Sequence, residues 1–139
     1  MPLAPERAIQ VHTSEDMMNA RNLTYWIATA LIACDATIAG TAYLFHAPFL
    51  MKAFAHMGYP AYFVNILGVA QLLGACALLV PGYVTFKEWA YAGFGFIYLG
   101  GAISHWVSGD GAESLEPLVL LIVLAASYLA RRVRRRGVA

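Results

Sequence analysis

Long apolar stretches alternate with short polar breaks along the chain, and each stretch is patterned at helical rather than strand period. The first runs from Leu23 to Phe45. The second runs from Ala61 to Val80 and is stopped by Pro81-Gly82. The third, Glu88 to Val107, holds twenty residues with one charge at its very start, which is the length a helix needs to cross a bilayer. The last, Pro117 to Ala130, is short, and with Leu115 and Glu116 it spans about 24 Å. Its arginines are therefore expected to snorkel or the bilayer to thin. Between the first two stretches, Ala47 to Pro60 is too short to span and reads as an interfacial helix or re-entrant cap. The expected fold is all-α: an integral membrane four-helix bundle over residues 21–130. A polar tail, 1–20, precedes it and a basic tail, 131–139, follows. Residues 1–12 are expected to be flexible, with Thr13 and Asp16 capping a short lead-in helix. The opening lacks the basic start and apolar core of a signal peptide, and its acids argue against a transit peptide.

Composition agrees with the pattern. Hydrophobic residues make up 60% and charged ones 12%, against roughly 45–50% and about 25% in soluble proteins, and mean hydropathy is +0.62. Lipid is expected to solvate that surface. Cys34 and Cys76 lie in separate apolar runs, which excludes electron transfer through a C-x-x-C pair. With four spans, Arg7, Arg21, Lys87, Arg131, Arg132, Arg134, Arg135 and Arg136 share one side and only Lys52 lies opposite. By the positive-inside rule both termini are expected to be cytoplasmic, and the expected location is the inner membrane. The run RRVRRR has no aromatic or glycine accompaniment, so it reads as a topology and anionic-lipid anchor, with no nucleic-acid partner.

That topology sorts the polar residues by depth. Asp35, Gln71 and Tyr98 fall near the midplane; His46, Asn65 and His105 fall in the outer third, with His56, Asp110, Glu113 and Glu116 above them. Tyr91, Tyr98 and His105 recur every seven residues and form a near-straight stripe. Gly95, Gly101 and Ala102 leave space beside it, while Gly93, Gly100 and Ser104 suit close packing against another helix. Asn65 and Gln71 flank Gly68. A cavity opening outward and closing near mid-membrane is the expectation. A midplane carboxyl costs on the order of 2.5–3.5 kcal/mol on insertion scales, and no Lys or Arg lies at its depth, so Asp35 is expected to be paired, neutral or hydrated. Asp35, His105 and Tyr98 are the candidate catalytic groups. His46, Asn65, Gln71, Tyr91 and Gly101 are the candidate ligand contacts, and the spacing singles out no metal set. Each has a plainer reading. Asp35 and the amides also serve as interhelical glue, the tyrosines as packing, and the histidines as interface residues.

The run from Leu67 to Asp110, with LGVAQLLGACALLVP, KEWAYAGFGFIYLGGAISH and a trailing GDG, resembles the DoxX-like family of small four-span bacterial membrane proteins. The similarity extends more loosely over about residues 24–130. The resemblance implies the four-helix topology and an association with membrane redox complexes, the family being named for a small subunit linked to thiosulfate and quinone. It supplies no catalytic residues. Three functions compete: a quinone- or lipid-binding redox subunit, a stand-alone membrane enzyme using acid–base chemistry on a small hydrophobic substrate, and a non-catalytic scaffold or carrier. The expected partners are the bilayer, a small hydrophobic molecule, and a membrane redox protein or a second copy of the chain. Quinone is the leading cofactor candidate. Haem is disfavoured because His46 and His105 are both shallow.

Overall fold

The computed structural model describes residues 4–136, with side chains described from 13 to 133. Among the described residues the chain forms five helices and no strand: α1 (Ala4–Leu44), α2 (Pro48–His56), α3 (Ala61–Leu79), α4 (Val84–Val107) and α5 (Leu115–Arg136). The four long helices close a ring in the order α1, α3, α4, α5, with α1 and α4 on one diagonal, and α2 lies against α1 and α3. Thr13–Leu44 of α1 and the whole of α3 are long and apolar enough to cross a membrane. α4 and α5 are 24 and 22 residues long, but tyrosines, tryptophans and arginines make them less apolar.

Several boundaries differ from expectation. No helix begins at Thr13: α1 is continuous from Ala4, because after Pro5 the segment carries good helix formers and no glycine or further proline to stop it. α4 starts a turn earlier than Glu88, at Val84. α5 does not end at Ala130 but continues through the arginines to Arg136, since arginine is a good helix former and the first breaker is Gly137. Residues 1–3 and 137–139, and the side chains of Arg7, Arg134, Arg135 and Arg136, on which the tail and anchor expectations fall, lie outside the described residues.

Three helices end in one motif. After α1, His46 sits in the left-handed region at φ 50°, and the chain bonds back through His46 N to Tyr43 O and Ala47 N to Ala42 O. Gly58 does the same after α2 and Gly109 after α4. This is the Schellman arrangement, which satisfies the last carbonyls and turns the chain sharply. It folds the next residues back over the helix just finished.

Close packing is not where the sequence pattern placed it. A Cβ on Gly93 or Gly100 would meet nothing within 4 Å, so these glycines make no tight helix crossing. The tight crossing is between α1 and α3. There, a Cβ on Gly40 would stand 3.0 Å from the Gly68 carbonyl oxygen, and one on Gly68 would stand 3.0 Å from the Gly40 carbonyl oxygen. α3 meets α4 in a similar way, with the tip of the Phe94 ring over Gly74. The packed core gathers Ile32, Ala33, Ala36, Ala75, Leu78, Tyr91, Phe94, Tyr98 and Leu124. It occupies the half of the bundle towards the chain termini. Two polar contacts cross this half. The Ser127 hydroxyl lies 2.7 Å from both the Thr29 and Tyr91 hydroxyls, joining α5 to α1 and α4. Arg131, read from sequence as part of a snorkelling anchor, instead turns inward. Its side chain is 8% exposed and donates to Glu88 Oε1 at 2.7 Å, over the Tyr91 ring.

Two stability measurements follow, each by thermal unfolding in detergent. Gly68→Val forces a branched side chain against the Gly40 backbone and is expected to destabilise by about 1–3 kcal/mol, whereas Gly93→Ala, which meets nothing, is expected to be neutral or slightly stabilising. Glu88→Gln is expected to cost about 1–3 kcal/mol by removing the charge that faces a buried guanidinium, while Arg132→Gln, on an exposed position, changes little.

Candidate functional site

The other half of the ring, towards α2 and the 108–114 loop, is hollow. A cavity of about 640 Å³ lies between the C-terminal half of α1, the N-terminal half of α3, the C-terminal half of α4 and the first turns of α5, with α2 beside it. Phe94 stacks on Tyr98 with ring centroids 5.9 Å apart. The tip of the Phe94 ring lies over Gly74, so the ring is held between α3 and Tyr98 beneath the cavity floor. On that floor the Tyr98 hydroxyl donates to Asp35 Oδ2 at 2.9 Å. The bond spans the diagonal of the ring, joining α1 to α4, whose backbones do not come close and which meet only through side chains.

The walls are apolar and rich in aromatic groups: Tyr43, Phe49, Phe54, Tyr59, Phe63 and Phe96. Tyr43, Phe54, Tyr59 and Phe63 form a continuous run of ring contacts from α1 through α2 to α3. Tyr59 is fixed further by a 2.7 Å contact between its hydroxyl and that of Ser104 on α4. Ser104 in turn donates to the Gly100 carbonyl. Polar groups are few and lie at opposite ends: Asp35, Tyr98 and Gln71 deep, and His105, Glu113 and Glu116 near the loop. Such a space suits a mostly apolar molecule with a hydrogen-bonding end.

Asp35, Tyr98, Gln71, His105 and Gly101 all line this one cavity. Gln71 is 2% exposed and its Oε1 is buried without a hydrogen-bond partner. Gly101 faces Pro117 and leaves room that a larger residue would fill. Three other candidates lie elsewhere. His46 and Asn65 are exposed and bond to each other, Nε2 to Oδ1 at 2.6 Å, outside the cavity. His46 is displaced because α1 ends at Leu44, so a stripe extrapolated eleven residues beyond Asp35 runs past the helix. Asn65 is displaced because six residues of helix turn it about 120° from Gln71; only one of the two amides can face inward. Tyr91 points inward but into the packed half, where it borders a smaller groove between α4 and α5 lined by Glu88 and Tyr128.

The sequence reading missed the aromatic wall and Glu116 as a cavity residue. A signal for Tyr43 was present, eight residues after Asp35 and therefore close to its face of α1. The contribution of α2 carried no such signal, since its placement depends on the turn at His46.

No curated protein and no solved structure matches this chain. The sequence profile of the DoxX-like family does match, over residues 27–127, and that range takes in every helix lining the cavity together with Asp35, Gln71, Tyr98 and His105. The chain belongs to the DoxX-like family.

Proposed function

We propose that the chain is a four-span protein of the cytoplasmic membrane that holds a small, largely apolar molecule in the cavity, as the ligand-binding subunit of a quinone-linked redox system. The observation that carries this reading is the Tyr98–Asp35 pair at the closed end of an aromatic-walled space. A ring bearing oxygen atoms finds its stacking surface in the wall and its hydrogen-bonding partners on the floor. The membrane part of the proposal is supported by the outward faces of the ring. Trp26, Ile27 and Leu31 on α1, Ile66 and Leu73 on α3, Leu99 and Ile103 on α4, and Val119 and Ile122 on α5 are all exposed. In water such a continuous apolar surface is a liability; in lipid it is the expected exterior. Arg131, Arg132 and Lys87 at the terminus end, with Lys52 at the other, support a cytoplasmic side for the termini. The cavity then faces outward.

A second reading has its own support. Asp35, Tyr98 and His105 border the same space, giving proton-exchanging groups at both its floor and its mouth. A stand-alone enzyme acting by acid–base chemistry on a small hydrophobic substrate would use that arrangement.

Binding of a short-chain ubiquinone analogue to the chain in lipid nanodiscs tests the site. Asp35→Asn is expected to weaken it about tenfold or more, the size of losing a hydrogen bond to a charged group. Tyr98→Phe is expected to weaken it less, and His46→Gln not at all. If Asp35→Asn binds like the parent, Asp35 serves only to tie α1 to α4. Product formation from the bound molecule would favour the enzyme. For topology, a reporter fused after Ala139 is expected to be active only in the cytoplasm, and one inserted after Gly111 only outside; the opposite pattern would reverse the orientation of the cavity.

A further inference from the structure

At the loop end of the cavity, residues from α4 and the following turn converge. His105 closes the last turn of α4, and Gly109 at φ 87° turns the chain back. The Asp110 amide then bonds the His105 carbonyl at 2.9 Å. The turn that ends the helix therefore places the Asp110 side chain beside the His105 ring. The Glu113 and Ser114 amides bond the Asp110 carbonyl, and this second turn brings Glu113 to the same place. His105 Nδ1 stands 3.6 Å from Asp110 Oδ2 and 3.6 Å from Glu113 Oε2. The three ligand atoms all lie within 4.8 Å of one another.

These spacings are informative. They are too long for hydrogen bonds, and His105 Nδ1 is buried with no hydrogen-bond partner. Two ligand atoms each about 2.0–2.2 Å from a tetrahedral Zn²⁺ stand roughly 3.3–3.6 Å apart. Two carboxylates directed at one imidazole nitrogen also repel each other, and among the described residues no Lys or Arg pairs with either. His56, at the end of α2, contacts the other oxygen of Asp110 at 3.3 Å. That is the kind of outer contact that orients a metal-binding carboxylate.

We propose that His105, Asp110 and Glu113 form a binding site for one divalent transition-metal ion, with His56 positioning Asp110. One imidazole nitrogen among carboxylate oxygens favours Zn²⁺ over Mg²⁺ or Ca²⁺, which prefer oxygen alone. Glu113 is mostly exposed, so water completes the coordination. His105 and Glu113 both line the cavity, which puts the ion at its rim and lets it meet a polar group of whatever enters. The site ties α4 and its turn to α2 through His56, and it holds whether or not the cavity takes a quinone.

The test is calorimetric titration of Zn²⁺ into the tag-free chain in detergent, against a competing chelator. The parent is expected to bind one equivalent. Asp110→Asn and Glu113→Gln are each expected to weaken binding by about tenfold or more, and His105→Gln to abolish it. His46→Gln, whose histidine lies outside the cluster, is expected to bind as the parent does. Co²⁺ in place of Zn²⁺ is expected to give the visible ligand-field bands of a low-symmetry N/O site in the parent and to lose them in His105→Gln. Circular dichroism checks folding, and Glu113→Gln, on an exposed loop position, decides the matter if another variant fails to fold. Absence of stoichiometric Zn²⁺ uptake by the parent overturns the proposal. So does parent-like binding by Glu113→Gln, or an equal loss in His46→Gln.

Discussion

Two missing side chains set the shape of this molecule. At Gly40 and Gly68 the backbones of α1 and α3 approach until a single added carbon would touch the opposite carbonyl oxygen. Helices of ordinary composition keep 8–10 Å between their axes, and two facing glycines are what lets a pair of backbones come close at one point. Gln71 packs at the same crossing, its Cβ within 3.0 Å of a carbon placed on Gly40. The rest of the ring then adjusts to one fixed edge. α4 closes on α3 through Phe94 over Gly74, and the space that remains lies on the far side of the crossing, beside Ala39, Ala42 and Leu67. The hollow is what is left after one pair of helices has been drawn together.

Polar groups are used sparingly, and where they occur they join one helix to another. Tyr98 and Asp35 connect helices across the diagonal, and Thr29, Ser127 and Tyr91 join three helices with hydroxyls alone. Hydrogen bonds of this kind contribute modestly in lipid, about 1 kcal/mol each. Their larger effect is to fix rotation. A helix with apolar residues all round has no preferred face, whereas one hydroxyl that must find its partner selects a single face.

How much of this could be read in the residues depends on what each feature rests on. The pairing of Asp35 with Tyr98 was legible because both lie on long regular helices, where period and depth are enough to bring them together. His46 was misplaced because periodicity does not show where a helix stops, and a non-glycine residue in the left-handed region gave no warning. Gly93 and Gly100 looked like packing glycines because spacing identifies a small face but not the neighbour it meets; the real contact was built from Gly40 and Gly68. Arg131 was hidden by its company. Within a run of arginines nothing distinguishes the one that turns inward, and Glu88 became its partner only because α5 continues as a helix beyond Ala130.

The solid half of the bundle has a consequence for traffic. Ile32 and Ala36 are fully buried and Phe94 nearly so, and the stacked pair of Phe94 and Tyr98 lies across the bore between the hollow and the terminus end. A molecule in the hollow would meet that stacked pair as a wall on the side of the terminus end. On the proposed reading, a guest would therefore be held, presented or altered on the side from which it entered, because among the described residues the bore is filled between the hollow and the terminus end.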